Sequence, residues 1–178
     1  MTKADRVKAN QLAAAERIGK RALSLTVALL RAKVLRESLK EPLNRQATSG
    51  KSADTLRAEA ADQALQLQPT DASRVDSLYS FYLGALYAVV EKWRDWDFAD
   101  AAVDTILADK ERVEVLEKHR HAIFHAEHYD DKAIAALAER EDMIPWADEL
   151  ASALEKVFLA WHSDREPHIR AHLQRTGA

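Results

Sequence analysis

The sequence predicts an all-α protein: an up-and-down helical bundle with an N-terminal helical hairpin extension. Three observations lead there. Ala, Leu, Glu, Lys and Arg, which cost little in a helix, dominate the 178 residues, whereas glycine and proline supply only four each. Apolar residues recur at steps of three and four. Nothing interrupts them that reads as an alternating strand, an Asn-Gly hairpin or a glycine-rich phosphate loop.

Length and composition exclude several classes. A chain of 178 residues is long enough for one domain with a proper core. Without cysteine there is no disulfide framework, thiolate metal site or cysteine nucleophile, and a reducing cytoplasm is the expected setting. The longest apolar run, Ala22 to Leu30, is broken by Ser24 and Thr26 and is about half of what a bilayer requires. The N-terminal residues lack the pattern of a signal peptide, so no membrane partner is expected. Net charge is -3 but uneven: residues 1–70 carry 13 Lys and Arg against 7 Asp and Glu, and residues 71–178 carry 13 against 22. The positive part is expected to dock on the acidic remainder, within a chain or a dimer, or to meet a nucleic acid.

The elements follow in order. Residues 5–40 read as one long helix with two apolar stripes: Ile18, Ala22, Leu25, Leu29 and Ala32, and beside it Leu23, Val27, Leu30 and Val34. So wide a face is expected to be buried in the bundle or used for dimerisation. Pro42 should end this helix, with a loop from Arg45 to Ala53. A weaker helix is expected over Asp54–Leu67, closing before Pro69. The chain then divides into an N-terminal helical extension, 1–70, and a bundle, 71–178.

In the bundle, Leu78, Phe81, Tyr82, Ala85, Leu86, Val89, Val90 and Trp93 fit the face of a central helix starting near Ser73. Trp93 and Trp96 should plug the end where the chain turns. An Asp between Trp93 and Phe98 should cap a short helix holding Ala102, Val103, Ile106 and Leu107. The next helix, Arg112 to about Tyr129, should pack through Val113, Leu116, Ile123 and Phe124. Asp130 and Asp131 could cap a short helix ending near Glu141. Pro145 suits the first turn of a helix turning Trp146, Leu150, Leu154, Val157, Phe158 and Trp161 inward. A polar helix after Pro167 would fray.

The chemistry-bearing residues concentrate in Glu117-Lys118-His119-Arg120-His121-Ala122-Ile123-Phe124-His125-Ala126-Glu127-His128, which holds four of the seven histidines. Arg120 supplies a fixed positive charge, and His125 a group that titrates near neutral pH. Positions five apart lie about 140° apart round a helix, so one chain makes a poor convergent site. Two copies on a two-fold axis could line a shared cleft. His121, His125 and His128 lie within about 60° of one another and could bind zinc or nickel with Glu127 or Asp131. Structural or solvated roles suffice for His162, His168 and His172.

Arg120-His121-Ala122-Ile123-Phe124-His125 resembles the Arg-x4-6-His signature of HEPN domains, in which a polar residue commonly follows the arginine. Leu83 to Trp93 is similar to the long core helix that precedes the motif, and the resemblance covers roughly residues 73–163. It implies a four- to five-helix bundle that forms a homodimer through the motif helix. It also implies metal-independent endoribonuclease chemistry, or RNA binding without catalysis, with no cofactor. Such proteins belong to defence or toxin–antitoxin systems, which implies a cognate antitoxin as a partner. On this resemblance Arg120, His125 and His121 are the catalytic residues. RNA carries its own nucleophile, the 2′-hydroxyl. His125 would act as general base or acid, Arg120 would hold the scissile phosphate, and His121 would position it or share the proton transfer. The products would be a 2′,3′-cyclic phosphate and a 5′-hydroxyl. Glu91 on the preceding helix is a candidate buried partner for Arg120, or else a surface ion-pairing carboxylate. The alternatives are a non-catalytic scaffold that oligomerises through the motif helix and the N-terminal stripes, and a His-rich metal-binding bundle.

Overall fold

A computed structural model describes residues 3–52, 55, 58, 70–124, 140 and 142–176. Among them the chain is helical apart from short turns, without a strand: α1 (Lys3–Ser38), α2 (Lys40–Thr48), α3 (Asp71–Asp95), α4 (Ala101–Leu107), α5 (Lys110–Phe124), α6 (Met143–Ser163) and α7 (Arg165–Thr176). The all-α bundle expected from the periodicity is present. None of these helices is long and apolar enough to cross a membrane.

Helix α1 is the long N-terminal helix, and its first stripe is the buried one. Ile18, Ala22, Leu25, Leu29 and Ala32 join Tyr82, Leu83, Leu86 and Val90 of α3 and Leu150, Leu154 and Phe158 of α6 in one hydrophobic cluster. The core therefore runs across residue 70. The second stripe faces solvent: Leu23, Val27, Leu30 and Val34 are all exposed. Basic side chains of α1 meet carboxylates of α6. Lys33 pairs with Glu155, and Arg36 Nε and Nη2 donate to Asp148 Oδ1 and Oδ2 at 2.8 and 2.6 Å.

Pro42 does not begin a loop. It is buried in the first turn of α2, where a missing N–H costs nothing because no acceptor awaits it. Helix α1 instead ends at Ser38, and α2 carries the chain through Arg45 to Thr48, so the loop begins at Ser49 rather than Arg45. The helix expected over 54–67 lies almost wholly outside the described residues.

Thr70 starts α3 with a reciprocal cap: its Oγ1 accepts from Ser73 N at 2.9 Å, and Ser73 Oγ accepts from Thr70 N at 2.8 Å. Trp93 closes α3 from inside the core, its ring against Phe98 and Phe158. Trp96 is only half-buried and lies under the Arg21 guanidinium at 5.5 Å. The cap of α4 is Asp100, beyond the Trp93–Phe98 turn; its Oδ1 accepts from Ala102 N and Val103 N. Asp97 takes a left-handed conformation, φ 54°, that turns the chain. Helix α6 buries Met143, Trp146, Leu150, Leu154, Phe158 and Trp161, whereas Val157 is only partly buried. Helix α7 is anchored rather than frayed: His172 is buried against Phe98, and Arg175 Nη2 donates to the Asp97 carbonyl at 2.6 Å.

Candidate functional site

The motif begins on α5, which packs mainly on α3. Asp109 starts the helix: Arg112 N donates to its Oδ1 at 3.1 Å, and Val113 N to its carbonyl at 3.2 Å. Arg112 bridges on to Asp142, and Arg140 to both Asp142 and Glu111, tying the start of α5 to the approach of α6. The buried face is Val113, Leu116, His119 and Ala122, each three residues after the last. Ile123 is only partly buried and Phe124 is exposed, contrary to expectation. A run of threes drifts round the helix, so the inward face near the motif is carried by His119.

His119 is fully buried, and neither ring nitrogen has a hydrogen bond of ordinary geometry. Burial lowers its pKa to about 4, only the Ser80 backbone opposing the effect. It is therefore a neutral core residue at physiological pH. Its polar type hid this from a reading based on apolar periodicity; the spacing of three from Val113 through Leu116 was the available signal.

Arg120 lies beside it at the edge of the α3–α5 contact, with its side chain 23 % exposed. Its Nη2 stands 3.9 Å from Glu91 Oε2, and Lys92 Nζ stands 3.8 Å from the same oxygen. Glu91 is thus the neighbour anticipated for Arg120, but it is a part-exposed carboxylate between two cations rather than a buried partner. Close by, burial raises the Tyr87 phenol to about 12, and the Glu117 and Glu91 carboxylates push the same way against Arg94. The site is thus mixed in charge. His121, the next residue, is half-buried. His125, the third candidate, lies outside the described residues, as do Glu127, His128 and Asp131 of the metal alternative. Among the described residues no three side chains gather to hold a metal ion.

At the C-terminal end of α5, Phe124 is 49 % exposed and meets the exposed Phe81 of α3, ring centroids 5.8 Å apart. This pair was not foreseen as a surface feature. Gly84 allows it: a Cβ there would fall 2.3 Å from Phe124 Cε2. The contacts Glu91–Arg120 and Gly84–Phe124 run in opposite chain directions, so α3 and α5 are antiparallel. One side of the pair therefore presents a guanidinium and, a helical turn away, two aromatic rings.

A second polar constellation went unnoticed in the sequence because its members are far apart. Asp148 accepts from Arg36 and from Tyr82 Oη at 2.9 Å. Burial raises the Asp148 carboxyl, but the hydrogen bonds from Arg36 and Tyr82 outweigh it and hold the group below its usual range. The open cleft above it, about 410 Å³, is lined by Lys33, Lys40 and Glu155. Its charges are mutually satisfied, which marks it as a structural tie between α1, α3 and α6. No family model, curated protein or solved structure matches the chain.

Proposed function

We propose that the chain is an HEPN-like protein that acts on RNA as a homodimer, cleaving it without a metal. The observation that carries this reading is the Arg120 guanidinium on α5, part-exposed and a turn from the exposed Phe81–Phe124 pair. A guanidinium grips a phosphate by two parallel hydrogen bonds, and exposed aromatic rings stack unpaired bases. In the proposed mechanism Arg120 holds the scissile phosphate and stabilises the charge that grows on it, releasing Glu91 to do so. His125 exchanges the proton of the 2′-hydroxyl, and His121 orients the phosphate. The two α5 helices meet across a two-fold axis, so that each copy completes the other's site. The proposed setting is a cytoplasmic defence or toxin–antitoxin system in which a cognate antitoxin covers this face.

The test is incubation of the purified chain with single-stranded RNA in EDTA, with products resolved by end chemistry. Cleavage to 2′,3′-cyclic phosphate and 5′-hydroxyl ends is expected, falling at least about 100-fold in Arg120→Ala and in His125→Ala. Phe124→Ala should weaken RNA binding with less effect on turnover of bound RNA. Absence of cleavage, or cleavage unchanged in Arg120→Ala, overturns the catalytic reading. A second reading, a non-catalytic scaffold that oligomerises, is favoured by the exposed apolar stripe of α1.

A further inference from the structure

The second stripe of α1 is a surface the fold leaves unused. Leu12, Leu23, Val27, Leu30 and Val34 are 72, 53, 39, 55 and 64 % exposed. They follow one line along the helix, about 33 Å long and about 140° round from the buried stripe. Together they expose on the order of 500 Å² of apolar surface, the size at which a patch marks an interaction site. Gly19 falls on the same line. Only proline is less favourable inside a helix, yet among the described residues a Cβ at Gly19 would meet nothing within 4 Å. No packing among the described residues calls for a glycine there, whereas a helix arriving from outside would.

We infer that α1 pairs with α1 of a second copy, antiparallel, about a two-fold axis beside Leu23. In this register Leu12 of one copy lies level with Val34 of the other, Gly19 with Val27, and Leu23 with Leu23. Leu30 lies level with Glu16 and leans, toward its own N-terminus, to the space left by Gly19. Glu16 also falls on this line, between Leu12 and Leu23, and the charges fit the same register. A two-fold axis brings like sides of the two helices together, so Glu16 comes within one residue's rise of Arg31 of the second copy. Glu37 does the same with Lys8 on the other side. Within their own chain Glu16 pairs with Lys20 and Glu37 with Lys40, whereas among the described residues neither Arg31 nor Lys8 has an acidic partner, so the second copy would add a cation to each carboxylate. Over residues 8–38, where the two copies of α1 overlap, no charge stands level with a like charge. The pair would bury about 1,000 Å² in all, where specific interfaces begin. This pairing is independent of the proposed RNA chemistry, since Arg120 lies on α5 and α5 packs on α3.

The chain has no cysteine, so single introduced thiols report the pairing directly. Leu23→Cys in the full chain should form a disulfide-linked dimer under mild oxidation, whereas Ser24→Cys, about 100° round the helix, should not. Mixed Leu12→Cys and Val34→Cys chains should cross-link to each other, and Leu12→Cys alone should not. By sedimentation the unmodified chain should weigh twice its 20.0 kDa or a multiple of that. Glu16→Arg should weaken the association about tenfold, and adding Arg31→Glu should restore it. A monomer at all concentrations, equal linking of Leu23→Cys and Ser24→Cys, or Leu12→Cys linking by itself would overturn the inference. RNA cleavage, present or absent, moves none of these readouts.

Discussion

The His119 imidazole, buried beside the Ser80 backbone with neither nitrogen in a hydrogen bond of ordinary geometry, can take a proton only by bringing a charge into the core. Its pKa of about 4 in the fold lies below the ordinary 6.5. Above pH 6.5 the group is neutral in both states and contributes nothing to pH dependence. Between 6.5 and 4 the unfolded chain binds a proton that the native chain refuses, so stability falls as the pH falls. At pH 5 the loss is about 2 kcal/mol. Urea unfolding at pH 7 and pH 5 should show it, and His119→Leu should remove most of it while leaving stability at pH 7 equal or higher. A variant that loses as much as the parent contradicts this account. At Glu91 the expectation concerns binding. Glu91→Gln removes the carboxylate that competes for Arg120, so RNA affinity by fluorescence anisotropy should rise a few-fold. The pair is part-exposed, so the cost in stability should stay under about 1 kcal/mol. An unchanged or weaker affinity would separate Arg120 from the RNA.

Helix α1 carries two stripes with the same steps, and the sequence alone does not rank them. The more apolar one, with Leu23, Val27, Leu30 and Val34, is outside. The inner one includes Ala22 and Ala32, both buried in the core that α1 shares with α3 and α6. Small side chains suit a close helix contact, a preference that a scale of hydrophobicity does not contain. Leu25→Ala should therefore cost about 2–5 kcal/mol, and Leu30→Ala in dilute protein under about 0.5 kcal/mol, by denaturant titration. The α3–α5 pair offers a finer test. Gly84→Ala gains about 1 kcal/mol in helix propensity but drives a methyl into Phe124. It should stabilise a Phe124→Ala background and fail to stabilise the parent. Helix positions were legible wherever apolar steps were long and regular, as in α1, α3 and α6. Boundaries were less so, since Pro42 suits a first turn as well as a stop, and capping of α4 passed from the turn to Asp100. Of the site, Arg120 and its neighbour Glu91 were legible from position on facing helices. The Phe81–Phe124 surface and the His119 core were not, because each reverses the usual rule for its residue type.

In the molecule as a whole, the first helix and the last two are joined without being neighbours in sequence. α1 packs on α6 and α7 as well as α3, and its cations Lys33 and Arg36 meet Glu155 and Asp148. The uneven charge read from composition is in part this internal pairing. A chain lacking residues 1–38 should consequently lose cooperative thermal unfolding, since Leu83, Leu86 and Leu154 would lose the surface that covers them. A cooperative transition in that truncation would mean that residues 71–176 hold a core of their own. The joining of α1 to α6 also bears on biosynthesis. As the polypeptide leaves the ribosome, α1 emerges more than a hundred residues ahead of the segment that covers part of it. For that interval both its greasy sides are open to the solvent, and a neighbouring nascent chain on the same message presents the same helix.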